Sequence, residues 1–263
     1  MKFRMPDKYY TGGIILLVAA ALFIAIPLVT YIGDASTAAF VMAGLVCVMT
    51  GSFILTLSGG ESMDPRIVGL LPAQNSINLC RISSDRGIYH NAHFLPPKYT
   101  GKTRVMQLNP VADFVGAVIS ADNSFLGSGP RGLVTIPSCD LLIEDLKKRN
   151  GMIVPTKSEE LTTLLNETIG DTFDFASRVS ADWNGSLVTI TLHNYLFTEG
   201  CQVTERKSPE CCAKFPCPVC SLCGVLIAEG VDDVVRLEHC VCTAPSRDVT
   251  ILFLVESLSY RNA

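Results

Sequence analysis

Two long stretches without a charged residue dominate the first 58 positions of this 263-residue chain. No Asp, Glu, Lys or Arg occurs between Lys8 and Asp34, and none occurs between Asp34 and Glu61. Each stretch reaches the roughly 20 apolar residues that a helix needs to cross a hydrocarbon layer about 30 Å thick, and a helix satisfies its own backbone polar groups within lipid. Residues 1–60 are therefore predicted to form an N-terminal tail and a transmembrane helical hairpin in a lipid bilayer. The predicted spans cover about residues 12–33 and 37–58.

Positive charge predicts the orientation of this hairpin. Lys2, Arg4 and Lys8 precede the first span and Arg66 follows the second, whereas the intervening loop carries Asp34. Because Lys and Arg are retained on the cytoplasmic side, we expect a two-pass protein of the cell membrane with both termini in the cytoplasm. A cleaved signal peptide is the alternative, since a basic start before an apolar run is typical of one. The length of the run and the second apolar stretch favour the hairpin.

A ridge of small side chains follows the second span at every fourth residue. Small residues allow close approach of helix backbones in lipid. The predicted partner is the side of the first span that carries Ala21 and Ala25, and a second copy of the chain or another membrane protein is the alternative. The ridge consists of Ala35, Ala39, Ala43, Cys47 and Gly51.

About 200 residues follow the hairpin, which is enough to bury a sizeable core. The order of predicted strands and helices in residues 61–263 indicates a cytoplasmic α+β domain with a mixed β-sheet, either undivided or split near residue 151. The net charge of −4 argues against nucleic acid as a partner. The basic run 147–149 is instead typical of a helix C-terminus, where cations are stabilised.

Periodicity and turn residues place the individual elements. A capping box at Thr156 and Glu159 marks the clearest helix, whose apolar stripe continues to Val179. Residues 98–109 are expected to form a polar connector, and the segment between Phe197 and Pro218 a cysteine-rich loop. Further helices are predicted from Pro65, over 139–150 and over 218–229, and strands over 87–95, 115–120, 132–136, 187–197, 234–242 and 249–255.

Eight of the eleven cysteines lie in residues 201–242. Disulfides are not expected in a reducing cytoplasm, so these thiols indicate metal binding, redox chemistry or packing. The predicted metal site combines a Cys-x-x-Cys knuckle with a second pair on one face of a strand, and its metal is zinc or an iron–sulfur cluster. The alternative is that the thiols pack as small apolar side chains. The predicted ligands are Cys217, Cys220, Cys240 and Cys242, with Cys211, Cys212 and Cys223 as alternates.

Other motifs do not predict catalysis. His90 and His93 alternate on a predicted strand and would point to opposite faces, which disfavours chelation. The pattern Gly127-x-Gly129-x-x-Gly132 resembles a dinucleotide fingerprint, but Pro130 and a following strand replace the helix that the fingerprint needs. We therefore predict no catalytic residue and no enzyme. The expected function is a membrane protein whose cytoplasmic domain binds, senses or scaffolds, and the alternative is a membrane-anchored zinc or iron–sulfur thiolate module.

Two resemblances add to these expectations. The layout, together with the segments GIYHNAHFLPP, GLVTIPSCDLLIEDL and PVCSLCGVLIAEGVDDVVRLE, resembles a family of archaeal two-pass membrane proteins with a cytoplasmic domain of unknown function. That family implies no activity and no site residues. Residues 217–255 resemble the end of small-molecule-binding domains of the 4-vinyl reductase type, through a Gly-bearing helix, a strand with Glu238-x-Cys240 and a final strand. This second resemblance implies an apolar ligand and, in some members, zinc.

Overall fold

The structure is a computed structural model, and the described residues are 8–30, 34–58, 64–112, 114, 125–126, 132–243 and 246–256. The chain divides into two compact units, Met1–Met63 and Asp64–Ala263. The second unit extends past residue 151 without a further division.

The first unit is a pair of packed helices, α1 (Lys8–Thr30) and α2 (Asp34–Ser58). The two helices approach closely at glycines: a Cβ on Gly51 would lie 3.2 Å from the carbonyl oxygen of Gly13, and a Cβ on Gly44 would lie 3.3 Å from that of Ala20. Small residues thus bring the backbones together, as the sequence predicts. The face of α1 is not the predicted one, because Ala21 and Ala25 are exposed whereas Gly13 and Ala20 are buried.

Apolar length differs between the two helices. Among the described residues, Thr37–Thr56 is long and apolar enough to cross a membrane, with a mean hydropathy of 2.2, whereas the apolar part of α1, Thr11–Pro27, is shorter. The end of the first predicted span, residues 31–33, lies outside the described residues. By composition, the described residues therefore contain one candidate span, where the sequence predicts two.

The second unit is an α+β domain, as the sequence predicts. Its helices are α3 (Pro65–Asp85), α4 (Pro97–Thr100), α5 (Asp140–Asn150), α6 (Ser158–Asn166), α7 (Thr198–Lys207), α8 (Cys211–Lys214) and α9 (Pro218–Val231), and a π-helix, Glu167–Thr172, continues α6. Its strands are β1 (His93–Leu95), β2 (Met106–Pro110), β3 (Phe125–Leu126), β4 (Gly132–Thr135), β5 (Arg178–Asn184), β6 (Leu187–His193), β7 (Val234–Thr243) and β8 (Asp248–Glu256).

The strands form one sheet in the order β3-β4-β2-β1-β7-β8-β6-β5. Every described pair of neighbours is antiparallel, so the prediction of a mixed sheet was wrong. Parallel neighbours need a crossover that returns the chain to the same end of the sheet. Here β5 and β6 are neighbours joined by a short connection, and so are β7 and β8. Strand β1 pairs with β7 and so joins the group β1–β4 to the group β5–β8.

The core lies between this sheet and α9. Strand β6 places Val188, Ile190 and Leu192 on the buried face, in the alternation that the sequence predicts. Helix α9 is buried almost all round, as expected for a helix without a polar face. Gly224 brings its backbone directly onto the ring of Phe94 in β1, where a Cβ would clash. The second turn of α9 therefore packs directly against the sheet.

Several local predictions were wrong because tertiary packing overrode local pattern. The apolar stripe from Thr156 spans α6, the π-helix and then β5, because Val179 pairs with Leu192 as a strand residue. Within 87–95 only His93–Leu95 form a strand, residues 106–110 of the expected connector form β2, and residues 198–207 of the expected loop form α7. Residues 115–120, 127 and 129 lie outside the described part of the chain.

Candidate functional site

A cavity of about 180 Å³ in the second unit is lined by five cysteines. Its walls come from α3, α7, α8, the N-terminus of α9 and strand β7, with aromatic side chains between them. The cysteines on its wall are Cys201, Cys212, Cys217, Cys220 and Cys240.

The N-terminus of α9 supplies two of these thiols. Cys217 is the N-cap residue, with extended backbone angles, and Pro218 occupies the first helical position, where its missing N–H is not needed. Cys220 follows within the first turn and is buried. The sequence Cys-Pro-Val-Cys thus places two thiols at the positive end of a 14-residue helix.

Strand β7 supplies the third thiol. A shift in the pairing register between Leu237 and His239 re-aims the strand, a typical effect of an extra residue in one strand. Beyond this irregularity Cys240 faces the start of α9, and its Sγ lies 3.8 Å from the Sγ of Cys220.

Helices α7 and α8 complete a continuous chain of thiols. Cys201 on α7 lies beside Cys217, and Cys212 on α8 lies beside Cys240. Since Cys220 contacts both Cys217 and Cys240, the order along the cavity wall is Cys201, Cys217, Cys220, Cys240, Cys212. All five are free thiols.

The five thiols differ in pKa. The neighbouring Cys201, and after it Cys220, holds the pKa of Cys217 well below its ordinary value, and the backbone N–H groups of Cys220 and Val219 add to the effect. The neighbouring Cys212, and after it Cys220, likewise lowers the pKa of Cys240, although the single S–H of Cys220 can donate to only one of these two sulfurs at a time. The pKa values of Cys201, Cys212 and Cys220 are raised, chiefly by the same neighbouring thiols. Cys217 and Cys240 are therefore the thiols that lose a proton most readily.

An aromatic wall faces the thiols. The rings of Phe175 and Phe197 meet edge to face at 4.9 Å, and those of Tyr195 and Phe197 at 5.5 Å. Tyr195 is 2% exposed, and its hydroxyl is 4.0 Å from the Sγ of Cys217. Burial is the main reason that the pKa of Tyr195 lies well above its ordinary value, so the hydroxyl keeps its proton and donates toward Cys217.

Helix α3 roofs the cavity. Val68, Gly69, Pro72 and Ala73 line it from this side. Gly69 packs on Gly200 of α7 so closely that a Cβ on Gly200 would clash with the carbonyl group of Gly69. Pro72 lies inside the helix and cannot donate a backbone hydrogen bond.

The structure brings together three of the four cysteines that the sequence predicts as metal ligands. Cys217, Cys220 and Cys240 share the cavity wall, whereas Cys242 lies beyond it and accepts from Gln202 Nε2 at 4.0 Å. Within the described residues, no group of three or more His, Cys, Asp or Glu side chains is arranged to hold a metal ion. The zinc or iron–sulfur assignment stays a prediction.

The three alternative metal ligands that the sequence predicts lie in different parts of the domain. Cys212 joins the cavity, Cys211 packs in a small buried cluster with Cys80 of α3 and Phe215, and Cys223 is buried in the core further along α9. Sequence reasoning missed Cys201 and Tyr195. The signal for Cys201 was weak, because it lies ten residues before the cysteine run, in a segment interpreted as a loop.

His90 and His93 lie away from the thiol-lined cavity. His93 is buried on β1, with Nδ1 2.9 Å from the carbonyl oxygen of Asn91 and Nε2 3.9 Å from a carboxylate oxygen of Glu256. His90 precedes the strand and does not alternate with His93 on it.

Comparisons with known proteins do not suggest a function for the chain, so its assignment rests on the geometry of the cavity. No protein-family model, no curated protein and no solved structure matches the chain.

Proposed function

We propose that this protein is a membrane-anchored sensor whose α+β domain binds a small, uncharged ligand in the thiol-lined cavity. The observation that carries the proposal is the cavity itself, which combines an aromatic wall, a chain of thiols and few polar groups, among them the buried hydroxyl of Tyr195. Binding sites for small molecules are typically concave and largely apolar, with few polar groups that fix orientation. Reversible binding in the cytoplasm, and not catalysis, is the proposed task of the domain.

The size of the cavity limits the ligand. At about 180 Å³ it exceeds the roughly 150 Å³ of an engineered apolar cavity that stays dry and takes up benzene. A single aromatic ring with one or two substituents fits, whereas a nucleotide or a peptide does not. Tyr195 offers a hydrogen bond to an acceptor on such a ring, because sulfur is only a weak acceptor for its hydroxyl.

The proposed anchor is the α1–α2 hairpin, with both helices in the bilayer. Large apolar side chains on these helices are exposed, among them Ile15 at 62% and Phe53 at 66%. Soluble monomers seldom expose contiguous apolar surface of this kind, and lipid would cover it. Protease added to sealed inside-out membrane vesicles should digest the domain, and protease outside intact cells should leave it whole. Digestion from the cell exterior would contradict the proposed orientation.

The binding proposal is tested by filling the cavity. Ala73→Leu places a larger side chain in the cavity roof, and Asn75→Leu, on the exposed side of the same helix, is the matched control. The full chain in lipid nanodiscs is melted with and without benzene or toluene, and unfolding is followed by the fluorescence of Trp183, the single tryptophan. A ligand that binds the folded state should raise the melting temperature by several degrees in the wild type and in the control.

The two variants decide the outcome. We expect Ala73→Leu to abolish the ligand-induced rise while Asn75→Leu keeps it. An equal rise in both variants, or no rise in the wild type with any single-ring compound, would contradict binding in this cavity.

A further inference from the structure

The Cys-x-x-Cys pair at the start of α9 has a geometry that reversible ligand binding does not require. We propose that Cys217 and Cys220 form a reactive dithiol that exchanges with a small, uncharged organic disulfide inside the cavity. The inference rests on the proposed access of small molecules to this cavity and adds covalent chemistry to it.

The position of Cys217 suits it as the attacking sulfur. It caps a 14-residue helix, whose N-terminal end favours negative charge. The hydroxyl of Tyr195 lies 4.0 Å from its sulfur, on the cavity side of the helix end. Cys-x-x-Cys motifs at helix N-termini supply the reactive sulfurs in thiol–disulfide exchange.

The position of Cys220 suits it as the second sulfur of the pair. It is buried three residues further along the same first turn, beside Cys217. It also contacts Cys240, with 3.8 Å between the two sulfurs. A disulfide formed on Cys217 therefore has a thiol next to it that can complete the exchange.

The reaction balances without a further reagent. The thiolate of Cys217 attacks one sulfur of the disulfide R–S–S–R, its S–S bond breaks, and the leaving thiolate takes up a proton. Cys220 then loses its proton and attacks the sulfur of Cys217, which forms the Cys217–Cys220 disulfide and releases the second R–SH. Two electrons and two protons pass from the two cysteines to the substrate.

The cavity selects the substrate class. The thiols lie among Phe175, Tyr195 and Phe197 under the roof of α3, so a disulfide within a folded protein cannot reach them. Charged disulfides would lose their hydration in an apolar site without a counter-ion. A neutral disulfide of a few heavy atoms, such as 2-hydroxyethyl disulfide, fits both conditions.

The experiment uses the full chain in nanodiscs, reduced and treated with a chelator, with its metal content measured first. It is exposed to 2-hydroxyethyl disulfide or to oxidised glutathione, quenched with acid and alkylated with N-ethylmaleimide. Tryptic peptide 215–236 carries Cys217, Cys220 and Cys223, and fragmentation locates the modified sulfurs. We expect a Cys217–Cys220 disulfide with the neutral reagent, formed about tenfold faster than with the charged one.

Three variants assign the roles. Cys220→Ser should trap a mixed disulfide on Cys217, Cys217→Ser should leave Cys220 unmodified, and Cys223→Ser, a buried thiol on the same helix, should react as the wild type does. Modification of Cys217 no faster than of Cys223 would overturn the proposal. So would a stoichiometric metal ion bound by these thiols before chelation. If the neutral disulfide raises the melting temperature of Cys217→Ser but does not oxidise the wild type, the proposal of ligand binding is supported and the proposal of thiol–disulfide exchange is contradicted.

Discussion

Gly69 and Gly200 bring α3 and α7 into backbone contact over the thiol-lined cavity. A Cβ on Gly200 would overlap the carbonyl carbon and oxygen of Gly69. The two helices can approach this closely because neither residue has a side chain. The distance of the α3 roof from the rest of the cavity therefore depends on this pair.

Gly200→Ala should push α3 away from α7. Overpacking of this kind costs about 1–3 kcal/mol, so the midpoint of urea unfolding, followed through Trp183, should fall. Gly170→Ala is the control, because a Cβ there would meet its nearest neighbour at 3.5 Å, an ordinary contact. Equal midpoints for Gly200→Ala and the wild type would show that α3 shifts without loss of packing.

Gly224 and Phe94 should behave as a coupled pair. Gly224→Ala drives a methyl group into the Phe94 ring and should destabilise the domain by about 1–3 kcal/mol. Phe94→Leu removes the clashing ring atoms, so the double variant should be more stable than the sum of the two single effects predicts. Additivity within about 0.5 kcal/mol in a double-mutant cycle would contradict direct contact.

Asn109 should contribute to stability through one buried hydrogen-bond network. Its Nδ2 donates to the carbonyl oxygen of Lys214 at 2.7 Å, and its Oδ1 accepts from Gln107 Nε2 at 2.9 Å. Asn109→Leu keeps the branched shape of the side chain but removes both bonds, at an expected cost of about 1–3 kcal/mol. Asn78→Ala, which breaks an exposed bond to Gln74, should change the free energy of unfolding by less than about 0.5 kcal/mol.

Asp248 should make stability depend on pH in the acid range. The N–H of Asn194 donates to its carboxylate at 3.0 Å, and this bond, with a smaller contribution from His193, lowers the pKa of Asp248 below its ordinary value. A carboxylate with a lowered folded pKa contributes stability that is complete above its unfolded pKa of about 3.9 and is lost as the pH falls through the folded value.

Asp248→Asn provides the measurement. The difference in urea midpoint between wild type and variant should be largest near neutral pH and should shrink as the pH falls below about 4. A difference that stays constant over this range would show that the carboxylate charge at Asp248 does not contribute.

Tyr195 should tune the reactivity of Cys217. Tyr195→Phe removes the hydroxyl that lies 4.0 Å from the Cys217 sulfur, so the thiolate loses a donor and its pKa should rise. Alkylation of Cys217 by iodoacetamide should then reach half its maximal rate at a higher pH than in the wild type. Tyr99→Phe, whose hydroxyl donates to Asp233 at 2.7 Å, should leave the profile unchanged, and a shift in both variants would contradict a specific contact.

Sequence periodicity predicted the elements that carry their own pattern. The alternation in β6 and the unbroken apolar surface of α9 determine their burial, and Gly151 ends α5 in the left-handed conformation expected of a helix cap. Strand β5 was missed because its buried positions continue the spacing of α6, and only pairing with β6 distinguishes the two. Sheet direction depends on which strands meet in space, so the antiparallel order could not be predicted from local pattern.

Of the five cavity thiols, the sequence named Cys217, Cys220 and Cys240 as candidate ligands and Cys212 as an alternate, and it missed Cys201. Cys217 and Cys220 are close in sequence, and their helix fixes their geometry whatever surrounds it. Cys201 reaches them from a helix that local pattern did not predict, and Cys212 reaches Cys240 through contacts between α8 and β7. A chain of five thiols is a property of the tertiary fold.

Pro72 gives the cavity roof a defined weak point. Without an N–H, it leaves the carbonyl of Val68 without the usual bond one turn ahead, and both residues border the cavity. Local opening of a helix begins where its ladder is interrupted. We expect α3 to open transiently at this turn before it opens elsewhere. The entrance for small molecules would then lie in the cavity roof, and its width would depend on the fluctuations of this one helix.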